Sequence, residues 1–497
     1  MTKHKLVHTH LIAFLLLLGI LFVPNFALAA NHYIRAGATG TGNGSDWTNA
    51  YSDLPASLTR GDIYYVAGGT YGSHQFNDRP SGTATIEIRT ASMSDHGTST
   101  GWSDTYVGTA TFTCSAACQA VLDIQASYIT INGAYRGSNW QSGYGITVSN
   151  GNINATIAGI RIGANYQANH WYDHVTIKYV NIDGSHATSD YFPAESGVQL
   201  GSGSQNITLQ YNYIHDTGGP SFFIRGPGSL WGAAGYRASD TVLLEYNYIA
   251  RNYGSVVKHS EGCSCSDGIT NFVVRYNYWF DLMGTSIIAT PSGGGWNTGN
   301  GHNGPWSIYG NVFGYTQYPT RCGLGGGVLG LFDVAFDADI YVLNNTVTHL
   351  RDGGDGCPGS GTGPSIIGFI NTAHLQTIYY YNNLVWNSEA ASYHQPPVGT
   401  TMEDYSAYYD STSTLDVSAN KQISAGNPFT NWLANKPGAD FTIIENTNRG
   451  IDTNALVPGN AKDMNGRKRT TWSRGAFEFI NPSITPPIDP PKRLRIF

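Results

Sequence analysis

The sequence predicts an all-β solenoid, and three observations predict it. One strand-and-turn is written three times, as Ile207-Thr-Leu-Gln-Tyr-Asn-Tyr-Ile, Val242-Leu-Leu-Glu-Tyr-Asn-Tyr-Ile and Phe272-Val-Val-Arg-Tyr-Asn-Tyr-Trp. Each copy alternates apolar with other residues, the period of a strand, before the same Tyr-Asn-Tyr. Looser copies follow at Trp306, Ile340 and Ile378 and precede at Val175, so that one column reads Asn212, Asn247, Asn277, Asn311, Asn345, Asn383. By subtraction its steps are 35, 30, 34, 34 and 38 residues, one structural unit with variable loops. Strand units of this size that contact only their neighbours stack as a solenoid. Amide side chains stacked at a turn hydrogen-bond along the stack.

A second column lies between the Asn turns. It runs Ser196-Gly-Val-Gln-Leu, Ser221-Phe-Phe-Ile-Arg, Ser255-Val-Val-Lys-His, Ser286-Ile-Ile-Ala-Thr, Gly327-Val-Leu-Gly-Leu and Ser365-Ile-Ile-Gly-Phe. Each coil therefore carries at least two strands, on different sides of a prism. Together these repeats resemble the right-handed parallel β-helix (pectate lyase-like) superfamily. That resemblance implies a right-handed, single-stranded parallel β-helix.

Composition agrees. Charged residues make up 12% of the 497, about half the usual share, while Gly reaches 61 and Tyr 32. Disordered chains are charge-rich and aromatic-poor. Residues 1–29 read as a signal peptide: Lys3 and Lys5, an apolar run from Leu11 to Val23, and a small-residue site at Ala27-Leu-Ala29-Ala30. The run is too short for a typical membrane span. The mature chain is expected outside the cytoplasm, secreted or at the cell surface or in the periplasm, as a monomer with no membrane span. Loss of the two lysines moves the formal charge from -7 to about -9. No basic stripe or nucleic-acid motif is present.

Residues 30–82 resemble the opening segment of extracellular β-helix proteins. A strand at Tyr33 is followed by a short helical segment from Asp46 to near Leu58, then by Arg60-Gly-Asp-Ile-Tyr-Tyr-Val-Ala-Gly-Gly-Thr-Tyr-Gly. This predicts an N-terminal helical cap over the open end of the stack. Residues 83–480 read as successive coils. They close at Asp463-Met-Asn-Gly-Arg467 and Arg474-Gly-Ala-Phe-Glu-Phe479, where the Asp-x-Asn-Gly reads as a turn. Residues 481–497 are Pro-rich and then basic, a flexible tail.

Six cysteines in an exported chain point to disulfides. Cys322 and Cys357 lie one coil apart and pair as stacked neighbours; Cys114 and Cys118 close a local loop. Cys263 and Cys265 make a strained ring if they pair. No Cys-x-x-Cys supports zinc.

The chemistry expected of a polyuronate lyase has three needs: a base for the proton beside the carboxylate, a cation to neutralise that carboxylate, and an acid for the leaving oxygen. Val256-Val-Lys-His-Ser resembles the lysine-containing segment of the chondroitinase B and alginate lyase family, which implies Lys258 as the base; the alternative is a solvated lysine on an exposed strand. That family has its catalytic arginine one coil further on. Here the next coil reads Ser286-Ile-Ile-Ala-Thr with no arginine, and Arg225 on the preceding coil takes the role, since rungs lie only ~4.8 Å apart. Arg275, His259, Trp231 and Trp279 are candidates for holding the glycan, although a cross-strand pair with Glu245 also accounts for Arg275. Glu261 and Asp267 offer oxygen ligands for Ca²⁺, or stand as ordinary loop acids. The Asp clusters of polygalacturonases, the Asp-Pro-His-Asp of alginate epimerases, a phosphate-binding Gly loop and a Gly-x-Ser-x-Gly elbow are all missing.

The reading is a secreted enzyme that cleaves an acidic polysaccharide by β-elimination. The alternative is a non-catalytic carbohydrate-binding, adhesive or surface structural β-helix. A hydrolase with paired carboxylates comes third, because no pair stands out along the chain.

Overall fold

The computed structural model describes residues 29–78, 82–115, 118–149, 158–163, 171–184, 196–201, 203–225, 237–252, 261–266, 268–282, 284–290, 303–314, 327–332, 336–350, 366–370, 376–388, 393–394, 400–411, 414, 418–431, 440–445 and 447–479. The chain divides into two units, residues 1–30 and 31–497, and the fold below is that of the second. Among the described residues, three long sheets of 12, 12 and 10 strands are parallel throughout. Successive coils give one strand to each sheet. The protein is a parallel β-helix.

Sheet I holds the strands that precede the Asn column, among them Asp173–Lys178, Gln205–Gln210, Ser239–Glu245 and Ile269–Arg275. Ile177, Leu209, Leu244 and Val274 stack in register and face the core, with Ile308 next. Sheet II holds the strands that follow the column: Val180–Asp183, Tyr213–Thr217, Tyr248–Asn252, Tyr278–Phe280 and Val312–Gly314. Sheet III holds Ala158–Ile162, Ser196–Leu200, Phe222–Ile224, Cys263–Ser266 and Ile287–Thr290. Alternation sends every second side chain inward, where Ile, Val, Leu and aromatic residues form one continuous core.

The Asn column is the ladder its spacing predicts. Nδ2 of Asn212, Asn247, Asn277, Asn311 and Asn345 donates to Oδ1 of the next Asn at 3.0–3.2 Å. The same Oδ1 accepts the backbone N–H of the Asn below at 2.8–3.0 Å. Each Nδ2 also donates to a carbonyl of the preceding coil, such as Asn277 to Leu244 at 2.9 Å. The residue before each Asn is left-handed: Tyr211, Tyr246, Tyr276, Gly310, Asn344 and Asn382 all have φ between 52° and 66°. At Gly310 a Cβ would stand 2.6 Å from Cε1 of Tyr276, so that rung needs glycine for space as well as for φ.

Two expectations change. Residues 46–58 contain no helix. Their backbone pairs with the first strand, with Tyr51 N–H donating to Tyr33 and Arg35 N–H donating to Tyr51, both at 2.8 Å. Asp46 closes a turn by accepting from Asn49 N–H at 2.8 Å, a local bond that competes with helix. Leu54 and Leu58 still reach the core, so irregular chain does the covering. The first sheet begins at Asn31, so the opening segment is itself part of the stack. Second, the sheet III position between Phe222–Ile224 and Ile287–Thr290 is filled by Cys263–Ser266, while residues 255–259 lie outside the described residues. Cys263 and Cys265, whose pairing the sequence leaves open, are disulfide-bonded, fully buried and inward-facing, where they serve as the core residues of their rung. Cys114 and Cys118 are bonded as expected. Cys322 and Cys357 lie outside the described residues.

The segment after the last coil runs back along the stack. Asp463 closes its turn by accepting from Arg467 N–H at 2.8 Å and from Glu478 N–H at 3.1 Å. Fully buried Arg469 donates to the carbonyls of Gly475 and Ala476, both at 3.1 Å. Tyr276 donates to the carbonyls of Gly459 and Lys462, which ties this segment to the middle of the solenoid.

Candidate functional site

Parallel register in sheet II sets Asn181 beside Tyr213 and Tyr248, and Asp183 beside His215 and Ala250. Between them Ile182, Ile214 and Ile249 point into the core, so the polar set points out. The second and third of these strands then turn through a left-handed residue, Asp216 at φ 52° and Arg251 at φ 53°. Six chemically active side chains from three coils thus meet on one outer face.

Their contacts are tight. His215 Nδ1 lies 2.5 Å from Asp216 Oδ2 and 4.0 Å from Asp183 Oδ1. Its Nε2 lies 2.9 Å from Asn181 Oδ1. Arg251 straddles Asp216, with Nε to Oδ1 and Nη2 to Oδ2 both at 2.8 Å, and Nη2 also donates to the Tyr213 hydroxyl at 2.7 Å. The Tyr213 and His215 rings stack at 3.9 Å. Tyr213 and His215 are buried, while the Asp183 side chain is a third exposed.

Burial works against the charge on Asp216, yet hydrogen bonds from Arg251 and His215 hold its carboxyl far below the usual carboxylate range. Burial likewise opposes the Arg251 charge, but Asp216 and Tyr213 outweigh it and keep the guanidinium protonated. Burial pushes the Tyr213 phenol up, and Arg251 only partly offsets it. Imidazole between carboxylate and amide is a proton-transfer arrangement. Which way the Asn181 amide faces sets whether Nε2 meets an oxygen acceptor or an amide donor.

Asp183, His215 and Asp216 also place three potential ligand atoms within 4.8 Å of one another, the one such group among the described residues. The set does not fit calcium. Ca²⁺ takes six to eight oxygens, whereas one donor here is nitrogen and Asp216 is already neutralised by Arg251.

Of the residues expected from sequence, those described do not meet here. Lys258, His259, Trp231 and Asp267 lie outside the described residues. Arg225 follows the sheet III strand at Ile224, 5.0 Å from the Phe223 ring, on a different side of the prism. Arg275 is on sheet I, 2.5 Å from Glu245 and 2.9 Å from the Tyr309 hydroxyl, the cross-strand pair. Trp279 cannot stack on a sugar, because it faces inward and is fully buried. Glu261 is buried as well, and its carbonyl accepts from Asn252 at 2.8 Å. The described cluster was missed because columns were read at the Asn and at the second strand. His215 stands three residues after Asn212, and Asp216 and Arg251 four after Asn212 and Asn247. Carrying the repeat frame four residues further brings them together.

No protein-family model and no curated protein matches the sequence. Among solved structures, an alginate lyase from Paenibacillus sp. str. FPU-7 matches with TM-score 0.42 and 14% identity over 75% of this chain and 99% of that one. Pectate lyase Pel9A matches at 0.42 and 12% over 92% and 98%. A mannuronic acid specific polysaccharide family 6 lyase from human gut microbiota matches at 0.41 and 12% over 78% and 79%. The fold of this chain rests on its own strand ladders. Among the described residues no helix is long and apolar enough to cross a membrane.

Proposed function

We propose that this protein is a secreted, monomeric polysaccharide lyase-like enzyme that cleaves an acidic glycan by β-elimination, with its chemistry on the outer face of sheet II. The observation that carries the reading is the convergence of phenol, imidazole, guanidinium and amide on that face. In the reaction a base removes the proton beside the uronate carboxylate. Those electrons form a carbon–carbon double bond, the bond to the glycosidic oxygen breaks, and an acid protonates the departing oxygen. His215, backed by Asp216, serves as base. Tyr213 protonates the leaving oxygen. Arg251 and Asn181 face the charge that develops at the carboxylate. Lys258 with Arg225 is the other candidate pair and enters the same test.

A second reading has its own observation. Asp183 and Asp216 bring two carboxylates close together, and paired carboxylates cleave glycosides by hydrolysis. The non-catalytic reading takes Arg251 as a structural clamp, its Nε and Nη2 donating to Asp216 and Tyr213.

The test is absorbance at about 235 nm, where a double bond conjugated to a carboxylate absorbs. The substrates are alginate, pectate, chondroitin sulfate and heparan-type glycans. Rising absorbance that survives in Lys258→Ala and is lost in His215→Ala and Tyr213→Phe is the expected result. Loss in Lys258→Ala alone moves the site to the other pair. New reducing ends without absorbance mean hydrolysis, and neither signal means a binding protein.

A further inference from the structure

We infer that the site takes its glycan end-on and releases short products from a chain end; this rests on the lyase reading above and deepens it. Among the described residues, the outer face of sheet II is open on one side of His215 and walled on the other. On the open side the outward residues are Thr111 and Thr113, then Thr147 and Ser149, then Asn181 and Asp183, in register and all half-buried. They make a flat floor of hydroxyl, amide and carboxylate groups, the partners that sugar hydroxyls use. On the other side the column that holds His215 continues through Ala250 to Phe280.

Phe280 is covered. The strands Phe429–Asn431 and Asp440–Ile443, an antiparallel pair from beyond the last coil, lie over it. Phe441 stacks on Phe280 at 5.7 Å and is backed by Phe429 at 5.4 Å. The ring centroid of Phe441 is also 6.2 Å from that of Tyr278, which meets Trp140 edge-on at 5.0 Å, so the corner of the face is closed too. All three phenylalanines are at most 2% exposed. A glycan laid along the face therefore stops two rungs beyond His215, about 10 Å on. That length holds about two pyranose rings. In the opposite direction the floor runs on for three rungs, so the long part of the polymer lies there.

The test is the size of the products in the first few per cent of reaction on the glycan that proves to be the substrate, read by chromatography at about 235 nm alongside viscosity. The expected result is unsaturated mono- and disaccharides from the start, with viscosity falling slowly. Phe441→Ala, which lowers the wall without touching the reacting groups, is expected to raise the share of trisaccharides and longer products several-fold. A broad ladder of oligomers with an early steep fall in viscosity overturns end-on binding and leaves the lyase reading standing. Absence of unsaturated product on every glycan overturns the lyase reading and this inference with it. The wild-type profile decides the matter if Phe441→Ala fails to fold.

Discussion

Replacing Asn277 by Ala tests the amide ladder that sets the coil register. Asn277 is fully buried. Its Oδ1 accepts from Asn247 N–H at 2.8 Å and from Asn247 Nδ2 at 3.0 Å. Its Nδ2 donates to Leu244 and Arg275 carbonyls, both at 2.9 Å, and to Asn311 Oδ1 at 3.0 Å. After the change Asn247 keeps its bond to the Leu209 carbonyl but loses the partner of its backbone N–H and of its second amide hydrogen. Two stranded buried donors at about 1–3 kcal/mol each give roughly 2–6 kcal/mol. A water admitted to the vacated space brings the result toward the lower end. Asn212→Ala is the internal control. Its Oδ1 accepts Val180 N–H at 3.0 Å, so one donor is stranded and about half the loss follows. Urea unfolding followed by tryptophan fluorescence gives the two losses, and hydrogen exchange of the peptide spanning 242–250 shows whether the Asn247 amide has lost protection. Equal losses for the two variants, or a loss under about 0.5 kcal/mol for Asn277→Ala, would refute the reasoning, since that is the scale of an ordinary surface change.

Further outcomes follow from the site and the turns. His215→Ala lowers turnover on the responsive glycan by about 10²–10⁴-fold, the usual range for a lost acid–base group, with little change in KM. Activity that comes from this face persists in EDTA, because Asp183, His215 and Asp216 do not fit calcium; loss restored by Ca²⁺ would move the chemistry to another site. Asp216 has a depressed folded-state pKa, so the stability it adds is present above its ordinary value of 3.8 and fades as pH falls below it. Asp216→Asn should therefore be less stable by about 1–3 kcal/mol at pH 7 and converge on the parent protein in acid unfolding scans. Gly310→Ala, forced into φ 66° against Tyr276, should cost about 1–3 kcal/mol in the same urea assay, and a neutral result would mean that the corner relaxes.

The solenoid was legible because its signals are set by the backbone. An Asn whose amide must bond to the next coil cannot drift in the repeat, so Asn212 to Asn383 align by eye. The sheet III strand at the fourth copy was not. Ser255-Val-Val-Lys-His matches the neighbouring copies in its Ser and its apolar pair, whereas Cys263-Ser-Cys265-Ser does not resemble them, although its cysteines face inward as apolar residues. That choice decided where Lys258 was expected. Trp279 was misjudged for a related reason: its place in the repeat matches Ile214 and Ile249, and those positions face the core. The helical reading of residues 46–58 failed because Tyr51 bonds to the first strand, a contact between segments that local propensity does not contain. The His215 cluster joins three coils at offsets that no single copy of the repeat displays.

The aromatic wall has a consequence for how such a protein changes over generations. Its hairpin is rooted after the last strand of sheet II, Gln422–Ser424, and reaches back past four further rungs to Phe280. Each Asn of the ladder bonds only to its neighbours, so duplicating or deleting one whole coil between Asn311 and Asn383 rejoins the ladder unchanged. It would, however, carry the hairpin root about 5 Å toward or away from the site. A coil gained would draw Phe441 off Phe280 and open the face; a coil lost would push the wall onto Tyr248. Copy number, without any substitution near His215, would then govern where along a polymer the protein acts.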